Sequence, residues 1–344
     1  RYNDVPMDSV GRYFYVKEAD CIWSPGWKPC KTPLDIYECR HGMGYTRITG
    51  EKNGLGVSEL FFVPLGANCE IQHLTITNKS DRRRSFKLFA YTEWCLWNAQ
   101  TDGENFQRNL STGEVETEPG VIYHKTEYKE RRDHYAFYYC SDSKASFDTD
   151  RESFVGLYNG LEAPQAVAGG ACTGSVAHGW SPIAAFALDL TLEPGETVER
   201  TFMIGYIENP QDEKFDTSVP GTVWSPAVNK TRAHKLIARF DSPAKVAEAF
   251  KALGEYWDGL LGRFELKSDS PELDRMVNIW NQYQCMVTFC FSRSASFFES
   301  GIGRGMGFRD SNQDLVGFVH QIPSRARQRI LDIAATQLRD GGCY

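Results

Sequence analysis

The sequence predicts a multi-domain β-plus-α molecule: a large N-terminal β-sandwich, a helical linker and an α-helical second domain. Two observations in the residues carry the sandwich-then-helices part of that reading. Short alternating apolar segments separated by turn signals fill residues 1 to about 210. After Asn209 the apolar spacing changes to steps of three and four, the helical period.

The strands come first. Glu70–Thr77 places Leu74 and Ile76 on one face, and Asn78-Lys79-Ser80-Asp81 follows as a turn. Ser85–Asn98 carries Phe86, Leu88 and Ala90 on one side with Phe89 and Tyr91 between them, so burial on both faces is expected. Ile183–Leu192 and Thr197–Ile207 read as a hairpin closed by Glu193-Pro194-Gly195-Glu196. Aromatics make up 13% of the 344 residues, and most of them suit a sheet core.

Residues 211–269 read as the linker, with helices at Ala233–Phe240 and Pro243–Leu261. Ser242 before Pro243 is an N-cap followed by proline at the first helical position. Ser270-Pro271 repeats that signal and opens a helix whose apolar stripe is Leu273, Met276, Val277, Trp280, Tyr283 and Val287. Residues 314–338 give a further helical stretch that Pro323 must divide. Residues 270–344 form the third part.

Charge and cysteine content exclude several classes. The net charge is −7, and the short basic runs Arg82-Arg83-Arg84 and Arg131-Arg132 read as solvated charges, so neither nucleic acid nor an anionic membrane is expected as partner. The ten cysteines contain no CxxC and no Cys/His cluster with zinc spacing. Reduced thiols in a cytoplasmic protein are the expectation, with Cys95 packed as a small hydrophobe in a strand. The seven histidines show no HExxH or paired-ligand pattern, so no metal or cofactor is expected.

The chemistry concentrates in Ser292–Asp314, SRSASFFESGIGRGMGFRDSNQD. Glycines at 301, 303, 305 and 307 have neither dinucleotide nor P-loop spacing, and suit a backbone that turns sharply and approaches a ligand. Arg293, Arg304, Arg309, Asp310, Asp314 and Glu299 share the segment. Arginine forks and aspartates match the vicinal hydroxyls of sugars, and arginine also forks phosphate oxygens. The alternative is that these charges pair with one another and brace the loop. Cys21–Tyr45, rich in aromatics and glycine, reads as a structural loop between strands or as a pocket wall.

Four segments, WSPGWKP (Trp23–Pro29), YECRHGMGYT (Tyr37–Thr46), FVGLYNG (Phe154–Gly160) and above all Ser292–Leu315, resemble glycoside hydrolase family 94, and within it the cellobiose phosphorylases. The resemblance runs over essentially the whole chain. It implies the (α/α)6 barrel, a homodimer, and inverting phosphorolysis of cellobiose to α-glucose 1-phosphate and glucose. Inorganic phosphate is then a substrate, and no cofactor is needed. Carried over by motif, Arg293 would contact phosphate, and Arg304 and Asp310 would hold the non-reducing glucose. The catalytic acid of the family falls beyond Tyr344, so no catalytic residue is assigned in this chain. The chain is expected to be an internal fragment, inactive alone. Cellodextrin or chitobiose phosphorolysis, or a non-catalytic carbohydrate-binding sandwich, are the competing readings.

Overall fold

The computed structural model describes residues 11–94, 113–126, 134–179, 182–218, 226–291 and 307–343. These divide into two compact units, one ending at Phe250 and the other starting at Lys251.

The first unit is built on strands β1 (Arg12–Glu18), β2 (Cys21–Trp23), β3 (Ile36–Gly42), β4 (Tyr45–Lys52), β5 (Leu55–Phe62), β6 (Cys69–Asn78) and β7 (Arg84–Glu93). Next come β8 (Gly113–Glu118), β9 (Val121–Thr126), β10 (His134–Cys140) and β11 (Ser146–Asp150). Two short helices, α1 (Arg151–Val155) and α2 (Gln165–Gly169), precede β12 (His178–Gly179), β13 (Pro182–Leu192) and β14 (Thr197–Glu208). They form a five-stranded sheet, β11-β13-β7-β1-β2, and a nine-stranded sheet, β12-β8-β9-β10-β14-β6-β5-β4-β3. All neighbouring strands pair antiparallel.

The inner faces of the two sheets bury one core that includes Val57, Leu74, Ile76, Phe86, Leu88, Ala90, Phe186 and Phe202. A second core lies on the other face of the five-stranded sheet, where Tyr15, Phe89 and Tyr91 meet Phe154, Val155 and Val167 from α1 and α2. The two-faced apolar pattern of β7 therefore has two different partners, one per face. Asp150 caps α1 by accepting from the Ser153 amide at 2.8 Å, and the Tyr15 hydroxyl donates to the Leu161 carbonyl at 3.0 Å.

Two expectations are corrected here. β13 and β14 are not a hairpin: β13 pairs with β7, and β14 with β6 and β10, so the Glu193–Glu196 turn crosses from one sheet to the other. Asn78 holds that crossing, accepting from Gly195 N and donating its own N–H to the Glu196 carbonyl. An alternating pattern reports which side chains face the core, but not which strand lies alongside. Arg84 is not solvated either: it is 2% exposed, ion-paired with Glu18 and bonded to the Asn53 carbonyl. Arg131 and Arg132 lie outside the described residues, as does Cys95.

Helices α3 (Thr231–Ile237) and α4 (Pro243–Leu261) follow the strands. The Ser242 hydroxyl is 3.5 Å from the Lys245 amide, and its carbonyl accepts from Val246 N. Phe250, the last residue of the first unit, packs on the sandwich with ring centroids 5.1 Å from Tyr45 and 5.3 Å from Phe62.

Candidate functional site

In the second unit α5 (Pro271–Arg275) begins at Ser270, whose side chain accepts from the Leu273 amide. It continues through a π-helical segment, Met276–Asn281, into α6 (Gln282–Phe291). The wider π turn shifts the helical phase. Leu273, Met276 and Trp280 of the expected stripe are half-exposed, whereas Gln282, Met286 and Phe289 are buried. A stripe counted at uniform α-helical spacing therefore drifts off the buried face. Gln282 donates to the Val277 and Asn278 carbonyls, which fall in the widened turn.

Helix α7 (Phe308–Val316) and helix α8 (Pro323–Ala334) complete the described part, with the expected break before Pro323. The helix starts earlier than the sequence reading placed it. Arg309, Asp310 and Asp314 thus stand on α7 rather than in an irregular loop. Arg293, Glu299 and Arg304 lie outside the described residues.

Gly307 is the N-cap, and a Cβ there would lie 3.2 Å from the Asp310 carboxylate, so the small residue leaves room for that side chain. Asp310 occupies the first turn, where the unpaired amides of the helix favour negative charge. Its Oδ1 lies 3.0 Å from Nη2 of Arg309. The other face of α7 is anchored: Ser311 and Leu315 are buried, and a Cβ on Gly317 would come 2.6 Å from Cys285 Sγ. Burial first, and then the charge of Asp314, push the Cys285 thiol pKa up, which keeps the thiol protonated and unreactive.

A basic cluster that the sequence reading passed over stands at the C-terminal end of α6. The guanidinium of Arg329 lies 4.3 Å from the Phe289 ring centroid, and that of Arg325 lies 5.2 Å from it. Arg329 also donates to the Phe289 carbonyl at 3.3 Å, and Phe318 meets the same ring edge-on at 5.3 Å. The signal was present as SRARQRI, in which Arg325 and Arg329 stand four apart on one helix face. The described residues thus offer an acidic first turn on α7 and, separately, paired arginines beside Phe289, three residues before Ser292. Among the described residues no group of three His, Cys, Asp or Glu side chains is arranged to hold a metal ion. No helix among them is long and apolar enough to cross a membrane.

Comparison with known proteins places this arrangement. Residues 1–243 match the supersandwich domain of glycosyl hydrolase 94, and residues 256–344 match the catalytic domain of the glycosyl hydrolase 94 superfamily. The chain is 30% identical over 341 residues to an N,N'-diacetylchitobiose phosphorylase of Vibrio proteolyticus, covering 97% of this chain and 40% of that protein. It is 27% identical to a solabiose phosphorylase of Paenibacillus borealis, covering 96% and 40%. It is 28% identical to the cyclic beta-(1,2)-glucan synthase NdvB of Rhizobium meliloti, covering 98% of this chain and 11% of that protein. The chain thus spans 40% of the length of the phosphorylases it matches. The chain belongs to glycosyl hydrolase family 94, with its sandwich in the supersandwich domain and its last helices in the catalytic domain.

Proposed function

We propose that the full-length protein is an inverting disaccharide phosphorylase that transfers a glycosyl unit from a β-linked disaccharide to inorganic phosphate. The observation that carries this reading is the match of the chain to both family 94 domains, in the order sandwich then catalytic helices.

The chemistry follows from the nucleophile. Phosphate attacks the anomeric carbon from the face opposite the leaving sugar, so the C1–O glycosidic bond breaks as the C1–O phosphate bond forms, and the product is the α-glycosyl phosphate. The leaving oxygen takes its proton from a carboxylic acid. Phosphate is already an anion, so no second carboxylate is needed to activate water. No residue of this chain is assigned as the acid. Arg293 is proposed as a phosphate fork, and Arg304 and Asp310 as the grip on the hydroxyls of the transferred glucose. Asp310 fits such a grip because α7 holds it at a defined helical position and its side chain remains 31% exposed.

Cellobiose is the proposed substrate, on the strength of the segments Trp23–Pro29 and Tyr37–Thr46. N,N'-diacetylchitobiose is the second reading, favoured by the 30% identity to the Vibrio enzyme. Incubating the full-length protein with each disaccharide, with and without phosphate, separates them by the sugar phosphate released. Cellobiose should give glucose 1-phosphate; production of N-acetylglucosamine 1-phosphate alone would overturn the cellobiose assignment.

A further inference from the structure

The sandwich holds a cleft of about 280 Å³ lined by residues of β1, β4 and β5. Arg12, Lys28, Thr46, Glu59 and Phe61 are among its lining residues. Cross-strand register sets Glu59 beside Ile48 and Phe61 beside Thr46. The polar groups around it are mostly spoken for. Arg12 lies 2.7 Å from Glu70 and over the Phe61 ring at 4.9 Å. Gln72 donates to the same Glu70 oxygen at 3.0 Å, and the Tyr138 hydroxyl donates to Gln72 at 3.0 Å.

Glu59 is different. It is 4% exposed, lines the cleft, and makes no hydrogen bond or ion pair with any described residue. A buried carboxyl without a partner is costly, and its position at the cleft wall leaves a ligand as the group that can satisfy it. Burial pushes its pKa up to about 8, against the opposing charge of Arg12, so at neutral pH it can both donate to and accept from a hydroxyl.

The loop over the cleft is held in place. A Cβ on Gly50 would come 2.5 Å from the Pro25 carbonyl, so glycine there lets the loop lie against β4. Trp27, at φ 67, stands 43% exposed between Gly26 and Lys28, both of which line the cleft. Exposed tryptophan faces suit the apolar faces of sugar rings. Protonated at neutral pH, Glu59 offers a neutral donor and acceptor that matches a hydroxyl; Arg12 is already paired with Glu70, and Lys28 disfavours cations. The volume lies just below the usual range of ligand pockets, roughly 300–1,000 Å³, so at most one ring fits.

We propose that this cleft is a carbohydrate-binding site, taking a single uncharged pyranose unit, with Glu59 as a hydroxyl partner and beside it Thr46, whose hydroxyl also meets His41 Nδ1 at 3.0 Å, and with Trp27 in the loop that bounds it.

The test is calorimetric titration of the full-length protein in an Arg304→Ala/Asp310→Ala background, which removes both sugar contacts proposed in the helical unit. The probes are D-glucose, N-acetyl-D-glucosamine, inorganic phosphate and methylamine. One saturable sugar site is expected, weakened about tenfold or more by Thr46→Val and by Glu59→Leu. Thr46→Val is isosteric at a half-buried position, so it decides the matter if thermal melting shows that Glu59→Leu unfolds. Absence of saturable sugar binding, binding that Thr46→Val leaves intact, or tighter binding of phosphate or methylamine than of sugar overturns the proposal.

Discussion

Arg309 and Asp310, adjacent in the chain, form an ion pair on the first turn of α7, with Nη2 and Oδ1 3.0 Å apart. The arginine is 83% exposed and the aspartate 31%, although Oδ1 itself is shielded from water. Exposed pairs of this kind contribute about 0–1 kcal/mol. Arg309→Ala should therefore change the stability of the full-length protein by less than about 1 kcal/mol. Asp310→Ala should lower kcat/KM for the disaccharide by about tenfold to a hundredfold, the loss of a charged hydrogen bond to a sugar hydroxyl. Equal thermal destabilisation by both variants with undiminished turnover would return Asp310 to a bracing role.

The Arg84–Glu18 pair is a different case, because Arg84 is 2% exposed and also donates to the Asn53 carbonyl. Arg84→Ala strands Glu18 and an orphaned carbonyl at the edge of the core. It should cost about 3 kcal/mol of sandwich stability, read from urea unfolding. A change indistinguishable from that of Arg83→Ala, at an exposed neighbour, would contradict the burial described here.

Two buried groups give stability a pH dependence of opposite sign. Burial, with the charge of His134 second, pushes His124 from its ordinary 6.5 down to about 3. Below pH 6.5 the unfolded chain takes up a proton that the folded chain refuses, so stability falls as pH drops from 6.5 towards 3. Glu59 is raised from 4.5 to about 8, chiefly by burial. The unfolded chain releases that proton near pH 4.5 and the folded chain only near pH 8, so stability is lost as pH rises through that interval. His124→Phe should flatten the acid limb of the melting-temperature profile, and Glu59→Gln the limb above pH 4.5. Profiles parallel to that of the parent protein would count against both assignments.

Gly205 faces Phe137 across the β14–β10 pair, and a Cβ there would come 2.2 Å from the ring. Phe137 is fully buried and has no room to withdraw. Gly205→Ala should destabilise the sandwich by about 1–3 kcal/mol, the cost of overpacking, as a shift in the urea midpoint at unchanged slope.

Much of this molecule was legible in its residues. Phe86, Leu88 and Ala90 on one side of β7, with Phe89 and Tyr91 on the other, called for two cores, and two are present. Pro243, Ser270-Pro271 and Pro323 marked helix starts that the structure bears out, because proline and cap chemistry act locally. What escaped depends on partners distant in sequence. The crossing at Glu193–Glu196 depends on Asn78, and the burial of Arg84 depends on Glu18 and Asn53. The π turn at Met276–Asn281 moved the buried face of a helix whose spacing looked regular. At the candidate site, residue types in Ser292–Asp314 indicated polar ligand chemistry, but the start of α7 at Phe308 did not announce itself, since Gly307 lacks a capping side chain. Arg293 and Arg304 lie outside the described residues, so their roles rest on motif alone.

The central claim is phosphate-dependent cleavage by the full-length protein. Proton and phosphorus NMR of a reaction with cellobiose and inorganic phosphate tests it most directly. The account predicts α-glucose 1-phosphate and glucose appearing in equal amounts, with none formed when phosphate is omitted. Two free glucoses released without phosphate, or a β-linked sugar phosphate, would contradict it.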